Sequence, residues 1–372
     1  MDFLVDIHLK KTWLNGAYSV CSFFLAITAT QIQEVIDKKR DLKTVKLYQK
    51  SGTSTQTWST LALKLPPWQS YEHQFDAQVL SLVQVSTTSE KFQFAAQFRG
   101  EEVIVFELNL KTDDEKPTLT VLCKLASSHP GFCHILVDNV KSAIILPSQS
   151  AEEVEGITIH YENGGEKSLV FGADFLFDSF QKQHPDTTLK KENCFKGTIM
   201  CMELIEDGPV ATEKRLLAAF EDSSIFVFDF LTKQVTALFK PPPKYCQLIG
   251  FTTHKEDNRL VIAVSVMSRV FELVYENGTF ELTKKIQTTG YVNVECSQLS
   301  FTSNGDYLVC AFSSGKVEFY RRPAYQLERA MYFHKTKVFA FKLTSEEDET
   351  GRLFVGDEGG QLSEMPWQKL NV

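Results

Sequence analysis

Apolar and polar residues alternate in short runs along this chain, and one such run recurs seven times: Lys43 to Lys50, Glu102 to Leu110, Gly156 to Tyr161, Ser224 to Phe230, Arg269 to Tyr275, Lys316 to Arg322 and Gln361 to Trp367. Alternation at a period of two, carried by Val, Ile, Phe and Tyr, predicts β-strands. Four of the copies follow a second apolar run across a tight polar turn. These are Phe92 to Phe98 before Arg99-Gly100, Leu216 to Phe220 before Glu221-Asp222-Ser223, Tyr307 to Phe312 before Ser313-Ser314-Gly315, and Leu353 to Gly356 before Asp357-Glu358-Gly359. Hairpins repeated in this way predict an all-β fold, a seven-bladed WD-type β-propeller with degenerate repeats. The copies starting at 224, 269, 316 and 361 lie 45, 47 and 45 residues apart, the length of a WD-type blade. Those starting at 43, 102, 156 and 224 are 59, 54 and 68 apart, which puts the excess into loops.

On this reading residues 1–372 form a single domain, with 1–75 as an irregular first blade in which only Lys43 to Lys50 matches the repeat. Phe3 to Leu9 is the candidate strand for closing the ring by completing the last blade, since the five residues Gln368 to Val372 are too few for another outer strand. Three polar insertions, Lys111 to Pro117, Phe180 to Asn193 and Ser345 to Thr350, read as surface loops or hairpin tips. Gln31 to Arg40 has apolar residues at 32, 35 and 36, and fits either a short helix or a polar strand. No other stretch is expected to be helical. Ala17 to Ala29 is a thirteen-residue apolar run behind Lys10-Lys11. It is too short to span a bilayer, and the strand-like residues ahead of it favour a buried blade strand over a signal segment.

A formal net charge of −8 argues against a dedicated nucleic-acid binder, which needs a concentrated basic face. The cluster Lys38-Lys39-Arg40 sits beside Asp37 and Asp41 and reads as a solvated turn. The eight cysteines show no CxxC pair, and most stand in apolar stretches, as small hydrophobes of a reduced protein do.

The chain has no P-loop, no HExxH and no GxSxG. His129, Cys133 and His134 are the best metal candidates, but a structural zinc site needs four ligands and no nearby pair supplies the rest. The turn Pro130-Gly131 leading into a strand explains them better. The carboxylates Glu152, Glu153 and Glu155, and likewise Glu346 to Glu349, read as solvated loop tips. Phe226 and Phe228 fall at alternate strand positions and are assigned to the core. The chain is therefore expected to be no enzyme, with no catalytic, cofactor or metal residues, and to take no small-molecule substrate.

The hairpin Leu216 to Phe230 resembles a WD-repeat strand pair, with Phe228-Asp229 where a Trp-Asp dipeptide would stand. No Trp-Asp and no Gly-His occurs in the chain, so its blades must rely on apolar packing in place of the usual hydrogen-bond relay. The order of Pro130 to Cys133, then Ala143 to Ser148 leading to Val154 to Ile159, then Gly197 to Met202, resembles the ASTRA-associated protein 1 family of fungi. Its animal counterpart is the G-protein β-subunit-like protein 1. The resemblance covers roughly residues 92 to 367 and leaves 1 to 75 outside it. It implies a nuclear, non-enzymatic scaffold subunit of the ASTRA complex, a chromatin regulator partnered with kinase-assembly chaperones in the maturation of phosphatidylinositol-3-kinase-like kinases. An alternative is a non-catalytic propeller partner of an RNA-modifying or RNA-processing enzyme, for which Lys182, Lys190 and Lys191 are the nearest candidate RNA contacts.

Overall fold

The computed structural model describes residues 3–12, 18–27, 44–51, 57–65, 69–75, 79–87, 91–98, 102–109, 118–126, 135–138, 141–150, 152, 154–206, 214–241, 248–257, 259–267, 269–289, 294–302, 304–333, 338–343, 350–357 and 362–368. Among the described residues the strands are grouped into seven sheets. The first holds β1 (Phe3–Thr12), β2 (Tyr18–Ile27), β3 (Thr44–Ser51), β4 (Thr57–Leu65) and β5 (Gln69–Phe75), in the spatial order β2-β1-β3-β4-β5. The second is β6 (Val79–Thr87), β7 (Lys91–Phe98), β8 (Glu102–Asn109) and β9 (Thr118–Ala126). The third is β10 (Leu136–Asp138), β11 (Ala143–Gln149), β12 (Glu155–Tyr161) and β13 (Glu166–Val170). The fourth is β14 (Ile199–Glu206), β15 (Lys214–Phe220), β16 (Ile225–Asp229) and β17 (Gln234–Phe239). The fifth is β18 (Leu248–Glu256), β19 (Arg259–Val266), β20 (Arg269–Glu276) and β21 (Thr279–Ile286). The sixth is β22 (Cys296–Phe301), β23 (Tyr307–Phe312), β24 (Lys316–Arg321) and β25 (Gln326–Tyr332). The seventh has β26 (Val338–Leu343), β27 (Thr350–Asp357) and β28 (Leu362–Gln368). The recurrent segment of the sequence takes the third place in every sheet, as β3, β8, β12, β16, β20, β24 and β28.

Two compact units divide the chain: residues 1–127, 314–316 and 331–372, and residues 128–313 with 317–330. In the first, Phe94 of β7 stacks on Phe106 of β8 with ring centroids 5.3 Å apart, and Ala95, Ala96, Val103 and Val105 of the same two strands are also buried. β1 runs antiparallel to β2 and parallel to β3. The strand expected at the last blade is therefore paired in the first sheet, while the seventh sheet has three strands among the described residues. Closing the short connection from β1 to β2 costs far less chain entropy than joining segments more than 300 residues apart. Within the apolar run Ala17 to Ala29, Tyr18–Ile27 form the strand β2.

In the second unit, continuous apolar strands are explained by packing on both faces. Leu216, Ala218, Phe220, Phe226 and Phe228 of the fourth sheet cluster with Ile145, Ile157 and Ile159 of the third. Their neighbours Leu217, Ala219, Ile225 and Val227 cluster with Ile262, Val264, Phe271 and Leu273 of the fifth. Val261, Ala263, Val270 and Val274 then face Leu308, Cys310 and Phe312 of the sixth. Alternate residues of one strand thus enter different cores, which is how sheets stack face to face.

One expectation fails here. Ala173–Gln183 is an α-helix, α1, with Leu176, Phe177 and Phe180 buried in the core shared by the third and fourth sheets. The segment read as a loop from Phe180 thus begins inside a helix, whose apolar positions 173, 176, 177 and 180 follow the helical period. The aromatic spacing of Phe175 and Phe177 imitates a strand, but Phe175 is exposed.

Candidate interaction surface

A cleft of about 990 Å³ opens at the strand ends of the fourth and fifth sheets. Its walls come from the ends of β14 (Ile205, Glu206) and β18 (Lys255), the starts of β15 (Arg215) and β19 (Arg259, Leu260), and the β20–β21 hairpin from Tyr275 to Thr279. That hairpin turns through Asn277 and Gly278 at φ of 50° and 77°. An Asn-Gly pair with both residues left-handed matches the twist of the strands it joins. The C-terminus of α1 closes the cleft with Gln183 and His184.

α1 is held there through the outer strand of the fourth sheet. The Ser179 hydroxyl accepts the Val235 N–H at 2.9 Å, Gln183 Nε2 donates to the Val235 carbonyl at 3.2 Å, and His184 Nε2 lies 3.2 Å from the Thr236 carbonyl. Side chains of the helix thereby occupy edge groups of β17 that are otherwise open to another strand.

The cations of the cleft are all engaged. Arg215 Nε is 3.3 Å from Asp229, Lys255 Nζ is 3.0 Å from Glu206, and Arg259 Nη2 is 2.7 Å from Glu256. The hydrogen bond from Lys255 holds the Glu206 carboxyl below its ordinary range. Burial works against the Glu256 carboxylate, yet hydrogen bonds from Arg322 and Arg259 hold it low.

Behind the cleft, Glu256 joins a buried polar network between the fifth and sixth sheets. Arg322 reaches Glu256 Oε1 at 2.6 Å and Glu272 Oε2 at 3.7 Å. It also donates from Nη1 to the Gly305 carbonyl at 2.9 Å and from Nε to the Tyr325 hydroxyl at 3.1 Å, and it lies over the Phe301 ring. Tyr325 in turn donates to Glu272, and Thr283 Oγ1 donates to the other Glu272 oxygen at 2.6 Å. Burial, and then the Glu272 carboxylate, push the Tyr325 hydroxyl far above its ordinary value. Gly305, at φ 71°, packs so closely on His254 that a Cβ would stand 2.0 Å from its Nε2. Burial, then the Arg322 charge, keeps that imidazole low and neutral. The buried charges of Arg322 and Glu272 are paired, as buried charges must be, and the network joins two sheets.

Other sequence candidates fall in various places. Phe226 and Phe228 are in the core, as assigned. His129, Cys133, His134, Lys38 to Arg40, Gln31 to Arg40, Lys111 to Pro117 and Glu346 to Glu349 lie outside the described residues. Among the described residues no group of three His, Cys, Asp or Glu side chains is placed to hold a metal. Lys182 and Lys190 are exposed, whereas Lys191 sits between Asp174 at 2.9 Å and Asp178 at 3.2 Å, so the three lysines form no uncompensated basic stripe. Cys123, Cys194, Cys201, Cys296 and Cys310 are free thiols. Burial raises the Cys201 thiol to about 12, as an inert core cysteine requires.

Glu155 corrects the reading of its acidic run. It is buried, its Oε1 accepts from Gln149 Nε2 at 3.2 Å, and its Oε2 accepts the Ile199 N–H at 3.1 Å. No local signal distinguishes it from exposed Glu152, because its role depends on a strand 44 residues away. Glu256, Glu272, Arg322 and Tyr325 escaped the sequence for the same reason, since they meet only across sheets.

No family model matches the chain, and no curated protein does. Solved structures do. The crystal structure of Saccharomyces cerevisiae Sqt1 is similar with a TM-score of 0.57 at 11% identity, over 98% of this chain and 95% of that one. BBS1N, solved in complex with ARL6DN, is similar with a TM-score of 0.51 at 12% identity, over 75% of each chain. A second crystal of the same complex gives 0.50 at 13% identity. At these identities the likeness concerns the fold, which is that of a WD-type β-propeller.

Proposed function

We propose that this chain is a non-enzymatic scaffold, a seven-bladed propeller formed by residues 1–372 as one body, in which the sheet of β1 to β5 serves as an irregular first blade. The observation that carries the reading is the recurrence of one segment in the third place of all seven sheets, which leaves loops and strand ends as the variable surface. BBS1N supports it by analogy, as a similar propeller solved with a protein partner.

Within that class we favour a nuclear subunit of an ASTRA-type assembly, acting in chromatin regulation and in the chaperone-assisted maturation of phosphatidylinositol-3-kinase-like kinases. The segments that resemble the ASTRA-associated protein 1 family support this, since Ala143 to Ser148 lies in β11, Val154 to Ile159 leads into and through most of β12, and Gly197 to Met202 enters β14. Affinity purification of the tagged chain followed by quantitative mass spectrometry is the test. Stoichiometric recovery of kinase-assembly chaperones and a large kinase-like subunit is expected. Recovery with an RNA-modifying enzyme in their place contradicts the assignment.

A further inference from the structure

We propose that the cleft at the strand ends of the fourth and fifth sheets is a docking groove for an extended, basic segment of a partner protein. This deepens the scaffold reading and rests on it. The sign of the partner follows from the charges. Three cations, Arg215, Lys255 and Arg259, face the cleft, and each is already bound to a carboxylate: Asp229, Glu206 and Glu256 respectively. Asp257 and Glu276 add two more carboxylates on the turns that frame the opening, and both are exposed. The charges lining the cleft balance three to three, but its cations already hold ion pairs. An entering arginine or lysine therefore meets the rim carboxylates Asp257 and Glu276, whereas an entering carboxylate or phosphate meets cations already engaged.

Shape and chemistry favour a peptide over a small molecule or a folded surface. The volume of about 990 Å³ is at the upper end of small-ligand sites, and the cleft runs across strand ends of two sheets. Ile205 and Tyr275, both buried, and half-buried Leu260 give it an apolar floor for the stems of long side chains. Gly278 has open space where a Cβ would stand, so a backbone can approach the hairpin closely.

The test uses the purified full chain and fluorescence anisotropy with two labelled decapeptides, one alternating arginine with leucine and the other alternating glutamate with leucine. The arginine peptide is expected to bind and the glutamate peptide to fail. The double variant Asp257→Asn with Glu276→Gln should weaken the arginine peptide about five-fold or more, as the loss of two rim charges allows. The double variant Glu152→Gln with Glu162→Gln removes the same charge elsewhere and should leave binding unchanged. Equal weakening by both pairs reduces the effect to net acidity and overturns the groove, as does absence of arginine-peptide binding at millimolar concentration. Should the peptide fail while the tagged chain still recovers protein partners, only the groove falls. Should the groove variants behave as expected while no partner is recovered, the groove stands and the scaffold reading falls.

Discussion

At the junction between the third and fourth sheets, the Glu155 carboxylate does for an incoming strand what backbone carbonyls do at the next two junctions. Leu248 donates its N–H to the Glu221 carbonyl and Cys296 donates to the Met267 carbonyl, each 3.0 Å away and each in the turn before the third strand of the preceding sheet. Ile199 stands at the same point of its sheet and finds Glu155 Oε2. Glu155→Ala should orphan that buried N–H and lower stability by about 1–3 kcal/mol. Glu155→Gln keeps an acceptor oxygen and should restore most of the loss, as read from urea midpoints; an equal loss in both variants would tell against the hydrogen bond. Arg322→Met leaves buried Glu272 without its cation and Glu256 with Arg259 alone, and should cost about 3–5 kcal/mol. The Glu256 carboxyl lies lower in the folded chain than its ordinary value of 4.5, so its contribution is present above that pH and fades as acid protonates it. The stability gap between wild type and Glu256→Gln should accordingly be widest at neutral pH and close as pH falls below 4.5. A gap that stays constant or widens on acidification would show that the carboxylate is not held by its arginines.

α1 ties the candidate groove to the core of the second unit. Leu176 is fully buried against the third and fourth sheets, and Leu176→Ala should cost about 2–5 kcal/mol in a denaturant titration. Ser179→Ala should cost less, about 1–3 kcal/mol, by leaving the Val235 N–H without its acceptor. A loss for Leu176→Ala of under 1 kcal/mol would mean that the helix is surface decoration. The recurrent third strand was legible in the sequence by its short runs of alternating or continuous apolar residues, the latter where both faces are packed, as in Ile225 to Phe228. α1 carried a legible helical period at 173, 176, 177 and 180, which the interposed Phe175 obscured. Another shared feature had no sequence mark at all. The first strand of five sheets shifts register near its start, at Val79/Ser81, Ile199/Cys201, Leu248/Gly250, Cys296/Gln298 and Val338/Ala340. Of the skipped residues, Leu80, Met200, Ile249 and Phe339 are apolar and Ser297 is polar, so nothing sets them apart from the apolar strands around them; a bulge is a property of the ladder between two strands. The candidate groove was equally hidden, since its charges come from separate turns and meet only when two sheets stack.

At the scale of the whole molecule, the scaffold reading of an acidic chain of net charge −8, with apolar strand cores among the described residues, leaves recognition to strand ends and loops. Acidity disfavours phosphate-rich partners and favours basic segments of proteins. The central claim, that the chain works as a subunit held by large partners, is tested most directly by its native mass in cell extract at endogenous expression. Size-exclusion chromatography with immunodetection should place it far above the 42.2 kDa of the single chain. The peak should survive moderate salt and nuclease treatment. Elution of the whole population at 42.2 kDa under the same conditions would contradict the account.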